Sequence, residues 1–167
     1  MDLVIFDGAS NVQKAGKILE EKYPLITSIH GAEHVVSLFF SDIAKTTIGT
    51  LYVRVYQKVY KWFGGRHHAC YAQFIATSER INKRKIGLIR PAGTRMAGYW
   101  IAWTRVMRLK QTFDSLLVEP AFRNLAKDQA PPAGLLKLLG LATFWDATMD
   151  FLRALFPALR LSLIHIS

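Results

Sequence analysis

Up to residue 45 the chain alternates short, unbroken apolar runs with helix-length segments, and beyond Thr46 the short runs stop. This change of pattern constrains the fold more than any other feature. Leu3-Val-Ile-Phe6 and Ile26-Thr-Ser-Ile29 are too short for helices and carry β-branched residues, so they are expected to be strands. Between them Ser10-Asn-Val-Gln13 has the capping-box pattern, in which the Ser hydroxyl takes an orphan N–H and the Gln side chain reaches back. It predicts a helix to about Lys22, stopped ahead of Pro24. After Gly31, Ala32 to about Lys45 reads as a helix with Val35, Val36, Phe39, Phe40 and Ile43 on its apolar face. The order β-α-β-α with short connections predicts parallel strands joined by a crossover, an α/β beginning.

Past that point helical patterns dominate, over Thr50–Phe63, His67–Glu79, Thr94 to about Leu117, and Leu135–Leu155. Gly64-Gly65 ends the first, Asn82-Lys-Arg-Lys85 is a basic connector, Pro91-Ala-Gly93 a turn, and Gln129-Ala-Pro-Pro132 a linker. The expected organisation is an α/β segment over 1–45, a basic helical region over 46–128, and a linker with an amphipathic helix over 129–160. Residues 161–167, Leu-Ser-Leu-Ile-His-Ile-Ser, resemble a translated sequencing adapter and are expected to be an adapter-derived tail outside the fold.

The charge is concentrated. Residues 51–110 hold thirteen Lys and Arg against one acid, Glu79, a net of +12, whereas the whole chain carries +10. A field of this kind suits a polyanion, and the opposing account is a solvated helical surface. Its cations include Arg66, Lys83, Arg84, Lys85, Arg90, Arg95 and Arg105, interleaved with Tyr60, Trp62, Phe63, Tyr99, Trp100 and Trp103. Cations neutralise phosphates and aromatic faces stack bases, so these seven cations are candidate DNA contacts; helix packing accounts for most of the aromatics. Cys70 is the single cysteine, which excludes an internal disulfide and a multi-cysteine zinc site. The most apolar region, Leu135–Ile166, is interrupted by Lys137, Asp146, Asp150, Arg153 and Arg160, so no membrane partner is expected.

Asp7 follows the first strand, with Gly8 allowing a sharp exit. A carboxylate at the carboxyl end of a strand can ligate Mg²⁺, or can simply belong to an Asp-Gly turn. A phosphatase of the haloacid dehalogenase type needs a second Asp two residues later, where this chain has Ala9.

Val4-Ile-Phe-Asp7-Gly-Ala-Ser-Asn11, followed by a helix, a strand and Gly31-Ala-Glu-His34-Val-Val-Ser-Leu38-Phe-Phe-Ser-Asp42, resembles the middle of hAT-family DNA transposases. Gly31 stands where that family has Cys, and Thr94-Arg95-Met-Ala-Gly resembles a Thr-Arg-Trp-x-Ser segment with Met96 for Trp. The resemblance implies a fragment of an RNase H-like α/β fold followed by a mainly α-helical insertion region. It implies Asp7 as the second acid of an Asp-Asp-Glu triad that binds Mg²⁺, and His34 as a catalytic donor to the scissile phosphate. Asp42 shares a helix face with His34, or is a surface acid beside Lys45. The first and last acids of the triad have no counterpart among these residues, so DNA strand cleavage and transfer would belong to a complete, homo-oligomeric protein, and this chain would only bind DNA. The alternative is a non-enzymatic DNA-binding or protein-interaction module derived from a transposase. Either would be nuclear in a eukaryote and intracellular otherwise.

Overall fold

The computed structural model describes residues 2–6, 10–30, 32–91, 97–125 and 128–164. Strands β1 (Asp2–Phe6) and β2 (Ile26–His30) pair in parallel, from Asp2 opposite Ile26 to Phe6 opposite His30. Helix α1 (Ser10–Lys22) connects them. Its Glu20 carboxylate accepts hydrogen bonds from the Ser28 backbone N–H and hydroxyl at 2.6 and 2.7 Å, which fastens α1 to β2. The remaining elements are helices: α2 (Ala32–Lys45), α3 (Thr47–Phe63), α4 (His68–Asn82), α5 (Ala97–Arg108), α6 (Lys110–Val118), α7 (Pro120–Arg123), α8 (Ala133–Leu139) and α9 (Ala142–Ile164).

The α/β RNase H-like fold expected from the sequence is therefore corrected. Strand structure among the described residues is limited to this one five-residue ladder. Two strands have no interior member and present no sheet that helices could cover on both faces. Among the described side chains the buried apolar ones run from Phe40 to Leu155 and come from helices and their connections, so the core they form is helix packed on helix. The strand signals at 3–6 and 26–29 were local. They carried no information about how many strands would follow.

Helix α3 shows how the core is made. Tyr52, Val55, Tyr56, Val59 and Phe63 recur at three- and four-residue spacing and are buried, forming one apolar stripe. The helix begins earlier than its pattern suggested because Thr46 caps it, accepting from the Gly49 N–H at 3.0 Å while its hydroxyl donates to the Ile43 carbonyl at 2.6 Å. This corner brings α2 so close that a Cβ on Gly49 would lie 1.9 Å from the Ile43 carbonyl oxygen, a position only glycine can fill. Against the stripe stands Trp103 of α5, edge-on to Tyr52 and Tyr56 at 5.5 and 5.6 Å, with its indole N–H donating to the Tyr52 carbonyl at 3.2 Å. A second aromatic group joins Phe63, Phe74, Phe113 and Trp145.

Two segments read as single helices are each divided. The pattern over 94–117 breaks at Leu109, a buried turn residue between α5 and α6, and that over 135–155 breaks at Gly140 between α8 and α9. Each break turns the chain so that both halves face the same core.

Residues 85–91 form a strap without regular secondary structure, held against α3 and α4. The Ser78 hydroxyl donates to the Ile86 carbonyl at 2.9 Å, and the Tyr56 hydroxyl donates to the Ile89 carbonyl at 2.5 Å. Before the strap, Lys83 ends α4 in the left-handed conformation, φ 58°. A side chain there is strained by up to about 1 kcal/mol relative to glycine. Lys83→Gly is thus expected to raise the denaturant midpoint of unfolding, and a lowered midpoint would contradict this geometry.

Candidate functional site

The inward stripe of α3 forces Arg54, Gln57, Lys58 and Lys61 onto the opposite, solvent-exposed face. Gly64 and Gly65 end the helix. Gly65 takes φ 112°, a conformation that favours glycine, and turns the chain toward Arg66. Between the second half of α3, the end of the strap and the first turn of α5 lies an open groove of about 470 Å³. Tyr56 is its buried floor, with the Tyr60 ring stacked at 6.3 Å and the Tyr99 ring edge-on at 6.0 Å. Lys61, Arg66 and Arg90 also line it, and none of the described lining residues is acidic. Gln57 on the rim donates to the Tyr99 hydroxyl at 3.1 Å.

Burial, reinforced by Tyr60 and Tyr99 and opposed by Arg105, holds the Tyr56 phenol well above its ordinary pKa. Tyr56 therefore keeps its proton and remains a donor to the strap. Next to the groove, His67 stacks on Trp62 with ring centroids 3.7 Å apart. Burial, with Lys61 and Arg66 close by, lowers its pKa from the ordinary 6.5. The folded chain binds this proton less readily than the unfolded chain. The stability from this group is complete above 6.5 and declines as pH falls through the lowered folded value. Unfolding midpoints measured between neutral and acidic pH should fall less steeply in His67→Phe, which keeps a ring against Trp62. An unchanged pH slope would sink the assignment.

The sequence candidates separate into groups. Arg66 and Arg90 meet in the groove; Lys83, Arg84 and Lys85 are exposed at the other end of the strap. Arg105 is half-buried on α5, close enough to Tyr56 to act on its proton. Arg95 and Asp7 lie outside the described residues, and His34 stands in the first turn of α2 with its side chain outside them as well. Asp42 is an exposed surface acid paired with Lys45 at 2.9 Å. Glu119 accepts from the Thr77 hydroxyl at 2.8 Å and lies 3.8 Å from Arg80, so its part is structural. Among the described residues no group of three or more His, Cys, Asp or Glu is placed to hold a metal ion, so the Mg²⁺ implied by the resemblance has no ligand set there. Trp100 and Trp103 are fully buried and belong to the core. Burial pushes the Cys70 thiol up to about 12, which leaves it unreactive.

Among the described residues Lys85 pairs with Glu79 at 3.8 Å and Lys110 with Asp114 at 2.6 Å. Arg54, Lys58, Lys61, Arg66, Lys83, Arg84, Arg90, Arg105 and Arg108 have no carboxylate in ion-pair contact among the described residues. Sequence reasoning named neither Lys61 nor Gln57 for the site. The signal was present in the spacing of 54, 57, 58 and 61, which shares a face once 52, 55, 56 and 59 turn inward. No described helix is long and apolar enough to cross a membrane. No protein-family model matches the chain, and no curated protein or solved structure does either.

Proposed function

We propose that this chain is a non-catalytic DNA-binding module that grips the phosphate backbone with the cationic surface of α3, residues 83–90 and the groove between them. The observation that carries this reading is the set of Lys and Arg side chains that have no carboxylate partner among the described residues, gathered on the surface that Tyr60 and Tyr99 also line. Carboxylate pairing neutralises such a field internally; the cations left unpaired among the described residues favour phosphate as the complementary partner. A DNA partner would place the protein in the nucleus of a eukaryote. The resemblance at 4–11 and 31–42 supports an origin in a hAT-type element. Strand cleavage, where it occurs, would belong to the complete transposase.

Each phosphate neutralised on B-DNA contributes about −0.9 to the slope of log K against log salt. Fluorescence anisotropy with a labelled duplex should give a slope of about −4.5 or steeper, from about two contacts near Lys83 and about three on α3. Lys83→Ala with Arg84→Ala and Lys85→Ala should flatten it by about two units rather than three, because Glu79 already meets Lys85. No binding at low salt would refute the reading.

A second reading, a protein-interaction module, is favoured by one observation. Val35, Leu38, Phe39, Ile48 and Leu51 of α2 and α3 are all exposed. Apolar side chains gathered on neighbouring helices mark a docking face when they form a contiguous patch. Light scattering that reports a monomer at all concentrations would remove self-association from this reading.

A further inference from the structure

The groove differs from the rest of the basic surface in combining charge with aromatic walls inside a concave space. A flat cationic surface suffices for a duplex backbone. Here Lys61, Arg66 and Arg90 surround a cavity of about 470 Å³, within the usual range for small-ligand sites, whose walls are Tyr60 and Tyr99. From this geometry we infer that the groove binds one nucleotide unit through its base and a terminal phosphate. The inference deepens the DNA-binding reading and rests on it.

Two features select this ligand class. The first is the aromatic pair. Tyr60 and Tyr99 are only half-buried, unlike Tyr56, Trp100 and Trp103, and both line the groove, so ring surface remains there for stacking an unpaired base. The Gln57 amide, whose N–H is used by Tyr99, keeps its carbonyl oxygen as an acceptor at the rim. The second feature is the number of cations. An internal phosphodiester carries one negative charge, whereas a terminal phosphate carries about −1.5 to −2 at neutral pH and three acceptor oxygens. Three cations with no acid beside them among the described lining residues match the terminal group better. Two of the three are arginines, whose planar fork fits phosphate oxygens in pairs. The strap fixes Arg90 for this task, since the Tyr56 hydroxyl holds the neighbouring Ile89 carbonyl.

The same chemistry is offered by the 5′ end of a DNA strand and by a free nucleoside monophosphate. Anisotropy titrations of the whole chain with a labelled single-stranded oligonucleotide bearing a 5′-phosphate, and with its 5′-hydroxyl twin, test the site. The phosphorylated strand should bind about tenfold more tightly, as expected for charge-assisted hydrogen bonds. Arg66→Gln with Arg90→Gln, two exposed positions, should abolish that difference, and Tyr60→Leu with Tyr99→Leu should weaken both strands. Thermal melting of each variant checks that it is folded. Competition by thymidine 5′-monophosphate, but not by thymidine, would identify the free nucleotide as a source; competition by neither would identify the strand end. Equal affinity for the two strands, or a double Gln variant that retains the preference, overturns the inference while leaving duplex binding intact. Failure of both strands and of a blunt duplex to bind at low salt overturns the DNA-binding reading itself.

Discussion

Trp103→Ala lowers the stability of the chain by about 3–5 kcal/mol, on the scale of large aromatic truncations in packed cores. The effect is large because several interactions end at once. The indole is fully buried, and truncation would leave a cavity between α3 and α5. It stands edge-on to Tyr52, Tyr56 and Phe144, so three ring contacts lose their partner. Its N–H donates to the Tyr52 carbonyl. The loss is expected as a drop in the midpoint of chemical denaturation, with Tyr99→Ala, on a half-buried ring of the same helix, costing much less. Equal costs at 99 and 103 would mean that the α3–α5 seam is not the centre of the core.

The parts of this architecture legible in the sequence were those set by local chemistry. The start of α1 at Ser10, its end ahead of Pro24 and the helical pattern that ends at Phe63 each follow from a few neighbouring residues, and each marks an element boundary. What failed was the step from local strands to a global fold. Leu3–Phe6 and Ile26–Ile29 do pair, yet the packing that organises the chain is contributed by helices whose mutual arrangement leaves no periodic trace. The face of α2 illustrates the limit. Val35, Val36, Phe39, Phe40 and Ile43 read as one buried stripe, but α3, α5 and α9 cover only part of it, leaving Val35 and Phe39 exposed.

The site was partly legible for a similar reason. A count of charges located the basic stretch, and Arg66 and Arg90 were among its named contacts. The groove itself depends on bonds spanning long separations, such as Tyr56 to Ile89 and Gln57 to Tyr99, and no local pattern announces them. Aromatics that looked alike in the sequence divided by burial: Trp100 and Trp103 went to the core, while Tyr60 and Tyr99 line the groove.

The outer face of α3 carries the second large effect. Arg54, Lys58 and Lys61 lie at four- and three-residue intervals on exposed helix surface, with no carboxylate partner among the described residues. Their replacement by glutamine preserves helix propensity and leaves the buried stripe untouched, so the variant stays folded. Three phosphate contacts correspond to a slope of about −2.7, equivalent to about a 40-fold loss of affinity between 50 and 200 mM salt. The variant should lose that part of the salt dependence and bind weakly even at low salt. A solvated surface with no polyanion partner would bind nothing in either form.

The most direct test of the account is therefore the affinity for a blunt duplex across this salt range, measured for the native chain and for Arg54→Gln with Lys58→Gln and Lys61→Gln. The account predicts tight, steeply salt-dependent binding by the native chain and a slope flatter by about 2.7 in the variant. Identical slopes for the two proteins, or no binding by the native chain at low salt, would contradict it.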